Sequence, residues 1–157
     1  MKILTVKFTF TNVEDEDFDF LISNGLTINE DFKQFLKNYG GKKIVENCFS
    51  FEETNYIVSM ILPIKINQNP SIELILPALR DVDEGIGRYD LIPFAIDPGG
   101  NPFYISIGNL DYNNVYLDRI SSGYHNPLLK IADTFEQFIE DLHPHSRGWS
   151  PDQSTRA

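Results

Sequence analysis

The residues in this chain that could do chemistry are mostly carboxylates. There are 23 Asp and Glu against 13 Lys and Arg, with three histidines and one cysteine. Four acids run together at Glu14, Asp15, Glu16 and Asp17, and three more crowd at Asp81, Asp83 and Glu84. A metal centre needs ligands at a telling spacing. The first run has none and reads as the solvated start of a helix, where carboxylates meet the positive end of the dipole. Asp111, Asn113 and Asn114 bring oxygen donors close in sequence, but the alternating ligands, central glycine and distant glutamate of an EF-hand loop are missing. His143-Pro144-His145 offers two imidazoles with no cysteine or acid at ligand spacing. These two and His125 read as surface residues. Cys48 has no adjacent base or positive environment to make a thiolate and reads as a packing residue. The sequence contains no GxSxG, Walker loop, GxGxxG or HExxH. Hydrolysis by a pair of acids stays open, although no spacing singles out a pair. No metal or cofactor is expected.

At 157 residues, 41% hydrophobic, with 12 Phe and 7 Tyr, the chain suits one domain with a single core. No apolar run approaches the ~20 residues of a membrane helix. The N-terminus alternates apolar and polar residues without a small-residue cleavage site, so it reads as a strand rather than a signal peptide. A lone cysteine permits no internal disulfide and is compatible with a reducing cytoplasm. A net charge of −10 repels phosphate backbones, which disfavours nucleic acid as a partner. The same charge serves solubility and would speed encounter with a basic protein.

These groups must be positioned by elements that the patterning predicts. Asp90–Ile107 reads as strand, turn, strand. Ile92, Phe94 and Ile96 alternate on the first strand. Phe103, Ile105 and Ile107 do so on the second, with Tyr104 and Ser106 opposite. Between them Asp97-Pro98-Gly99-Gly100-Asn101 supplies turn residues, and Gly99 or Gly100 is expected at positive φ. Pro93 has no N–H, so an unpaired position or a sheet edge is expected there. Further strands are predicted over 2–10, 44–51, 55–66, 115–120 and 128–132. Leu4, Val6, Phe8 and Phe10 share a face in the first. Helices are predicted over 13–24, capped by Asn12, and 29–39, capped by Asn29. The last helix, 133–142, is capped by Asp133 with Glu136 completing a capping box. Between 70 and 86 a helical turn near 71–76 should give way at Pro77 to a helix opened or kinked there and running to about Glu84. Its acids would then sit at a C-terminus that disfavours them, relieved by Arg80 and Arg88. Residues 146–157 form a polar tail, docked through Trp149 or mobile, after a domain spanning 1–145.

Several of these stretches resemble the SUKH superfamily, the Smi/Knr-like domain. IPFAIDPGGNPFYISI is similar to that family's central motif of Ile-Pro-hydrophobic-Ala, a polar turn with Gly-Asn, and an apolar strand. The run from Ala132 through Phe135-Glu136-Gln137-Phe138-Ile139 to Leu142 resembles its closing helix. Phe35-Leu36 and Asn38-Tyr39-Gly40-Gly41 match its second helix loosely. Ile28-Asn29 departs from the usual Leu-Pro, and Tyr116 and Asp118 keep only part of its aromatic strand. The resemblance covers roughly Val13 to Leu142. It implies a single α+β domain, with a mixed or mostly antiparallel sheet flanked by helices, that works by binding without a catalytic set. Many members are immunity proteins against toxins of bacterial competition systems, often nucleases, and others are regulatory adaptors. The implied partner is a cognate toxin domain, often a nuclease, met in the cytoplasm, and the net charge of −10 fits a basic one.

A partner of that kind would be met by carboxylates and aromatics. Two groups are candidates: Asp81, Asp83 and Glu84 at the expected helix end, and Asp97, Asp111, Tyr112, Tyr116 and Asp118 around the hairpin and its neighbouring loop and strand.

Overall fold

The N-terminal alternation forms a strand, but a short and exposed one. In the computed structural model, which describes residues 1–65 and 70–145, β1 (Val6–Thr9) pairs antiparallel with β2 (Lys42–Ile44) and with no other strand. Of the four residues expected to share a face, Leu4 is buried while Val6, Phe8 and Phe10 stay exposed. The tail from 146 onward, with Trp149, and Ile66 at the end of an expected strand lie outside the described residues.

The acidic run begins as a single 3-10 turn, Asp15–Asp17, before α1 (Phe18–Ser23). Asn12 does not cap it. Instead the Asp17 carboxylate accepts the Glu14 N–H at 2.9 Å, and Asp15 pairs with Lys37 at 2.7 Å. α2 (Glu30–Tyr39) is capped as predicted, with Asn29 Oδ1 accepting the Phe32 N–H at 2.8 Å.

The strands predicted over 44–51 and 55–66 each divide. β3 (Cys48–Phe51) pairs with β4 (Thr54–Ile57) and with no other described strand. The two are joined through Glu52 and Glu53, both at positive φ (50° and 66°). A two-residue hairpin needs that backbone to match strand twist. β5 (Met60–Ile61) then starts a separate five-stranded sheet. The expected single sheet is therefore three antiparallel sheets, because the chain passes from one sheet to the next at 45–47 and again at 58–59.

α3 (Ile72–Arg80) passes through Pro77 without dividing and stops at Arg80, short of the expected Glu84. An interior proline costs about 3 kcal/mol. Burial of Ile72, Leu76 and Leu79, at about 1.5–3 kcal/mol each, outweighs it. Ser71 caps α3, accepting the Leu74 N–H at 3.1 Å.

β6 (Leu91–Ile96), β7 (Pro102–Ser106), β8 (Val115–Asp118) and β9 (Leu128–Ala132) complete the large sheet in the order β5-β6-β7-β8-β9, antiparallel throughout. Pro93 lies in the interior strand β6, not at an edge. Register shifts between Pro93 and Ala95, and such a bulge accommodates the missing N–H. α4 (Phe135–Glu140) closes the fold. Its cap is Thr134, whose hydroxyl accepts the Gln137 N–H at 3.0 Å, one residue later than expected. Asp133 instead pairs with Lys130 at 2.9 Å.

The alternation on β7 divides the sheet chemically. Phe103 points to an aromatic core shared by Phe32 and Phe35 of α2, Phe94 of β6, and Phe135 and Phe138 of α4. Tyr104 and Ser106 point the other way, into hydrogen-bonded polar clusters. The result is a single-domain α+β fold.

In the β6–β7 turn the positive φ falls on Gly100, at 85°. Asp97 Oδ1 accepts the N–H groups of Gly99 (3.0 Å) and Asn101 (2.8 Å). A Cβ on Gly100 would touch nothing within 4 Å, so any cost of a side chain there is conformational. Gly100→Val should destabilise by about 1 kcal/mol or more. An unchanged melting temperature in that variant would reject this account of the turn.

Candidate functional site: the loops at one end of the sheet

The chain leaves α3 at Arg80 and immediately folds on itself. Asp81 is extended (φ −64°, ψ 122°), and its Oδ1 accepts the N–H groups of Asp83 (2.8 Å) and Glu84 (3.0 Å). Those two bonds hold the Asp81 carboxyl below the usual carboxylate range. The first acidic group is thus not the last turn of a helix but a side-chain-organised loop, in which Asp81 is a structural member. Asp83 and Glu84 are exposed and make no ion pair among the described residues, and Val82 between them is exposed as well.

Neither arginine relieves this cluster. Arg80 turns back to the Asn24 carbonyl at 2.9 Å and stacks its guanidinium 4.7 Å from the Tyr89 ring centroid. Arg88 reaches the other loop. Its Nε bonds Asp90 at 2.8 Å, and its two terminal nitrogens bond Asp111 at 3.0 and 3.1 Å. Asp111 also accepts from the hydroxyls of Ser106 and Tyr116. Burial pushes the Asp111 carboxyl up, but bonds from Arg88, Ser106 and Tyr116 outweigh it and leave the pKa at about 2. Arg88 therefore staples the loop of residues 81–90 to the loop of residues 107–114. The second loop is held further by Asn113, at φ 74°, whose side-chain amide donates to Glu136 at 2.6 Å.

The second predicted group is not one cluster. Asp111 and Tyr112 lie beyond the Ser106 end of β7. Asp97 and Asp118 lie toward its Pro102 end, roughly 13 Å away at ~3.3 Å per strand residue. Tyr116 sits between them, opposite Tyr104. Asp118 is 6% exposed. It accepts the Tyr104 hydroxyl at 2.6 Å and the Ile120 N–H at 2.8 Å, so it has almost no surface to offer a partner. Burial first, and then Asp118, push the Tyr104 phenol far above its ordinary range, so it stays a donor. Asp97 organises the hairpin turn. Of this group only Tyr112 is both exposed and lightly held, accepting from Asn29 Nδ2 at 3.2 Å.

Sequence reasoning missed Tyr89 and Leu110, both exposed, which share the stapled loops with Val82, Asp83, Glu84 and Tyr112. It also missed the staple. Arg88 and Asp90 flank Tyr89, which hints at a local pair, but nothing in spacing links Arg88 to Asp111 across 23 residues.

The remaining chemical candidates are tied into structure. Cys48 is buried, and burial raises its thiol pKa. His143 is more than a surface residue. Its backbone bridges Cys48, and its Nε2 lies 3.1 Å from Ser50 Oγ, itself 2.7 Å from Asn55 Oδ1. No three His, Cys, Asp or Glu side chains gather to hold a metal among the described residues. Nor is any helix there long and apolar enough to cross a membrane.

Among known proteins, no curated sequence and no solved structure matches the chain. The model of the SMI1/KNR4 family (SUKH-1) matches residues 20–141, from α1 through the end of α4. That span takes in the hairpin, both stapled loops and the aromatic core, and with it the chain belongs to the SMI1/KNR4 family, SUKH-1.

Proposed function

We propose that this chain is a non-catalytic immunity protein of the cytoplasm, which neutralises a toxin of a bacterial competition system by binding it directly. The family supports a binding role. The observation that carries the choice of surface is the stapled loop pair, where exposed Val82, Tyr89, Leu110 and Tyr112 are joined by the unpaired carboxylates of Asp83 and Glu84. Exposed aromatic and aliphatic groups anchor interfaces, and a charged rim steers encounter. Loops fixed by Arg88 are pre-organised, so little ordering entropy is lost on binding. A chain of net charge −10 fits a basic partner, as nucleases commonly are because they bind phosphate.

The direct test is co-expression with the toxin domain encoded beside this gene, scoring survival. Killing that persists while a soluble complex never forms would reject the reading. Within a complex, Asp83→Lys with Glu84→Lys should slow association by about tenfold or more at low salt. The difference should shrink at high salt as screening takes over. Association rates equal to wild type at both salt concentrations would remove this loop from the interface.

A further inference from the structure

The β1–β2 ribbon is chemically unlike the rest of the molecule. Residues 1–13 and 40–45 hold four lysines and none of the 23 acidic residues. Lys2 is engaged, donating to the carbonyls of Glu140 and Leu142. Lys7, Lys42 and Lys43 make no ion pair among the described residues. Lys43 stands across the ladder from Phe8, with its ammonium 5.9 Å from the Phe10 ring centroid. Phe8 and Phe10 meet edge to face at 4.7 Å, yet both remain exposed, at 53% and 39%. Beside them Phe10, Lys43, Met60, Pro63 and Ile96 line a cavity of about 220 Å³. β1 has β2 on one side and no described strand on the other.

An open strand edge offers backbone donors and acceptors to any extended chain. The side chains beside it decide which chain fits. Lysine on an edge strand blocks pairing with another cationic or neutral strand. A second copy of this ribbon would bring lysines against lysines with no carboxylate between them, and like charges across a pair destabilise it. A nucleic acid has no peptide backbone to pair with the open edge of β1. A short acidic peptide segment avoids both objections. Its backbone would extend the ribbon, its carboxylates would meet Lys7, and its alternate apolar side chains would cover Phe8 and Phe10, with Lys43 adding positive charge on the face of those rings. We propose that the β1–β2 ribbon is a docking site for an extended acidic segment of a partner protein, added along the free edge of β1. This surface is separate from the acidic loops, so the two proposals stand or fall independently.

The experiment uses the full chain labelled with ¹⁵N and three probes: an octapeptide of alternating valine and glutamate, its valine–lysine counterpart, and a short oligothymidylate. The expected result is that the acidic peptide alone shifts the amides of residues 6–10. Its affinity should fall about tenfold or more in Lys7→Glu/Lys43→Glu, with the melting temperature unchanged. Should that variant unfold, Lys7→Gln/Lys43→Gln should weaken binding in the same direction. No shift at residues 6–10 with millimolar acidic peptide would overturn the proposal. So would stronger shifts from the oligothymidylate, or a wild-type dimer in sedimentation that the β1 substitutions dissociate.

Discussion

Replacing Phe94 by alanine should lower the free energy of unfolding by about 3–5 kcal/mol, a large share of the roughly 5–15 kcal/mol that holds an ordinary domain. Phe94 is fully buried at the bulge of β6. Its ring meets Phe32 and Phe35 of α2, Phe103 of β7, and Phe135 and Phe138 of α4, at centroid distances from 5.2 to 6.4 Å. Four of the five contacts are edge to face, an arrangement worth about 0.5–1.5 kcal/mol beyond area burial. Truncation would remove a hairpin ring that meets both helices, and the surrounding rings are too large to collapse into the space. Phe94→Leu keeps most of the volume and should cost distinctly less. Urea unfolding of the two variants checks both the size and the order. A Phe94→Ala loss under about 1 kcal/mol would mean the core does not depend on this ring.

The hairpin was legible because its signals are local. Alternation assigned the faces of β7, and the Asp-Pro-Gly-Gly-Asn run located the turn. Asn29 and Gly40-Gly41 bounded α2 in the same way. Errors fell where tertiary packing overrode local preference. Pro77 argued for a broken helix, but three buried aliphatic residues hold α3 together. The breaks at 45–47 and 58–59 carry no glycine or proline to announce them, so two hairpin strands merged with their neighbours. At the N-terminus the pattern predicted a shared apolar face, and alternation reports which residues share a side, not whether another layer covers it.

The candidate site was legible as composition and not as geometry. The acids at 81–84 were visible as a cluster, and all three are exposed, with the Asp81 carboxylate taken up by its own loop. A count of carboxylates could not separate them from Asp97, Asp111 and Asp118, whose oxygens are occupied by a turn, an arginine and a buried tyrosine. That separation depends on partners far away in sequence. The same acidic residue type thus frames the proposed interface in one place and holds its scaffold in another.

The scaffold role leads to the second large effect. Asp111→Ala should destabilise the domain by about 2–4 kcal/mol. The substitution removes both contacts to the Arg88 terminal nitrogens and leaves the Ser106 and Tyr116 hydroxyls without their acceptor. Arg88 keeps Asp90 and is partly exposed, at 30% of its side chain, which keeps the loss below that of a fully buried pair. The two stapled loops would then separate, so binding of the proposed partner should weaken even though Asp111 itself is largely covered. Acid supplies a second readout. The folded pKa of about 2 lies below the ~3.9 of an unfolded aspartate, so the folded state binds fewer protons between these values. The stabilisation is complete above about pH 4 and is lost as pH falls toward 2. Unfolding free energies of wild type and Asp111→Asn, measured across that range, should differ most at neutral pH and converge toward pH 2. Parallel curves across the range would show that the Asp111 charge does not stabilise the loops.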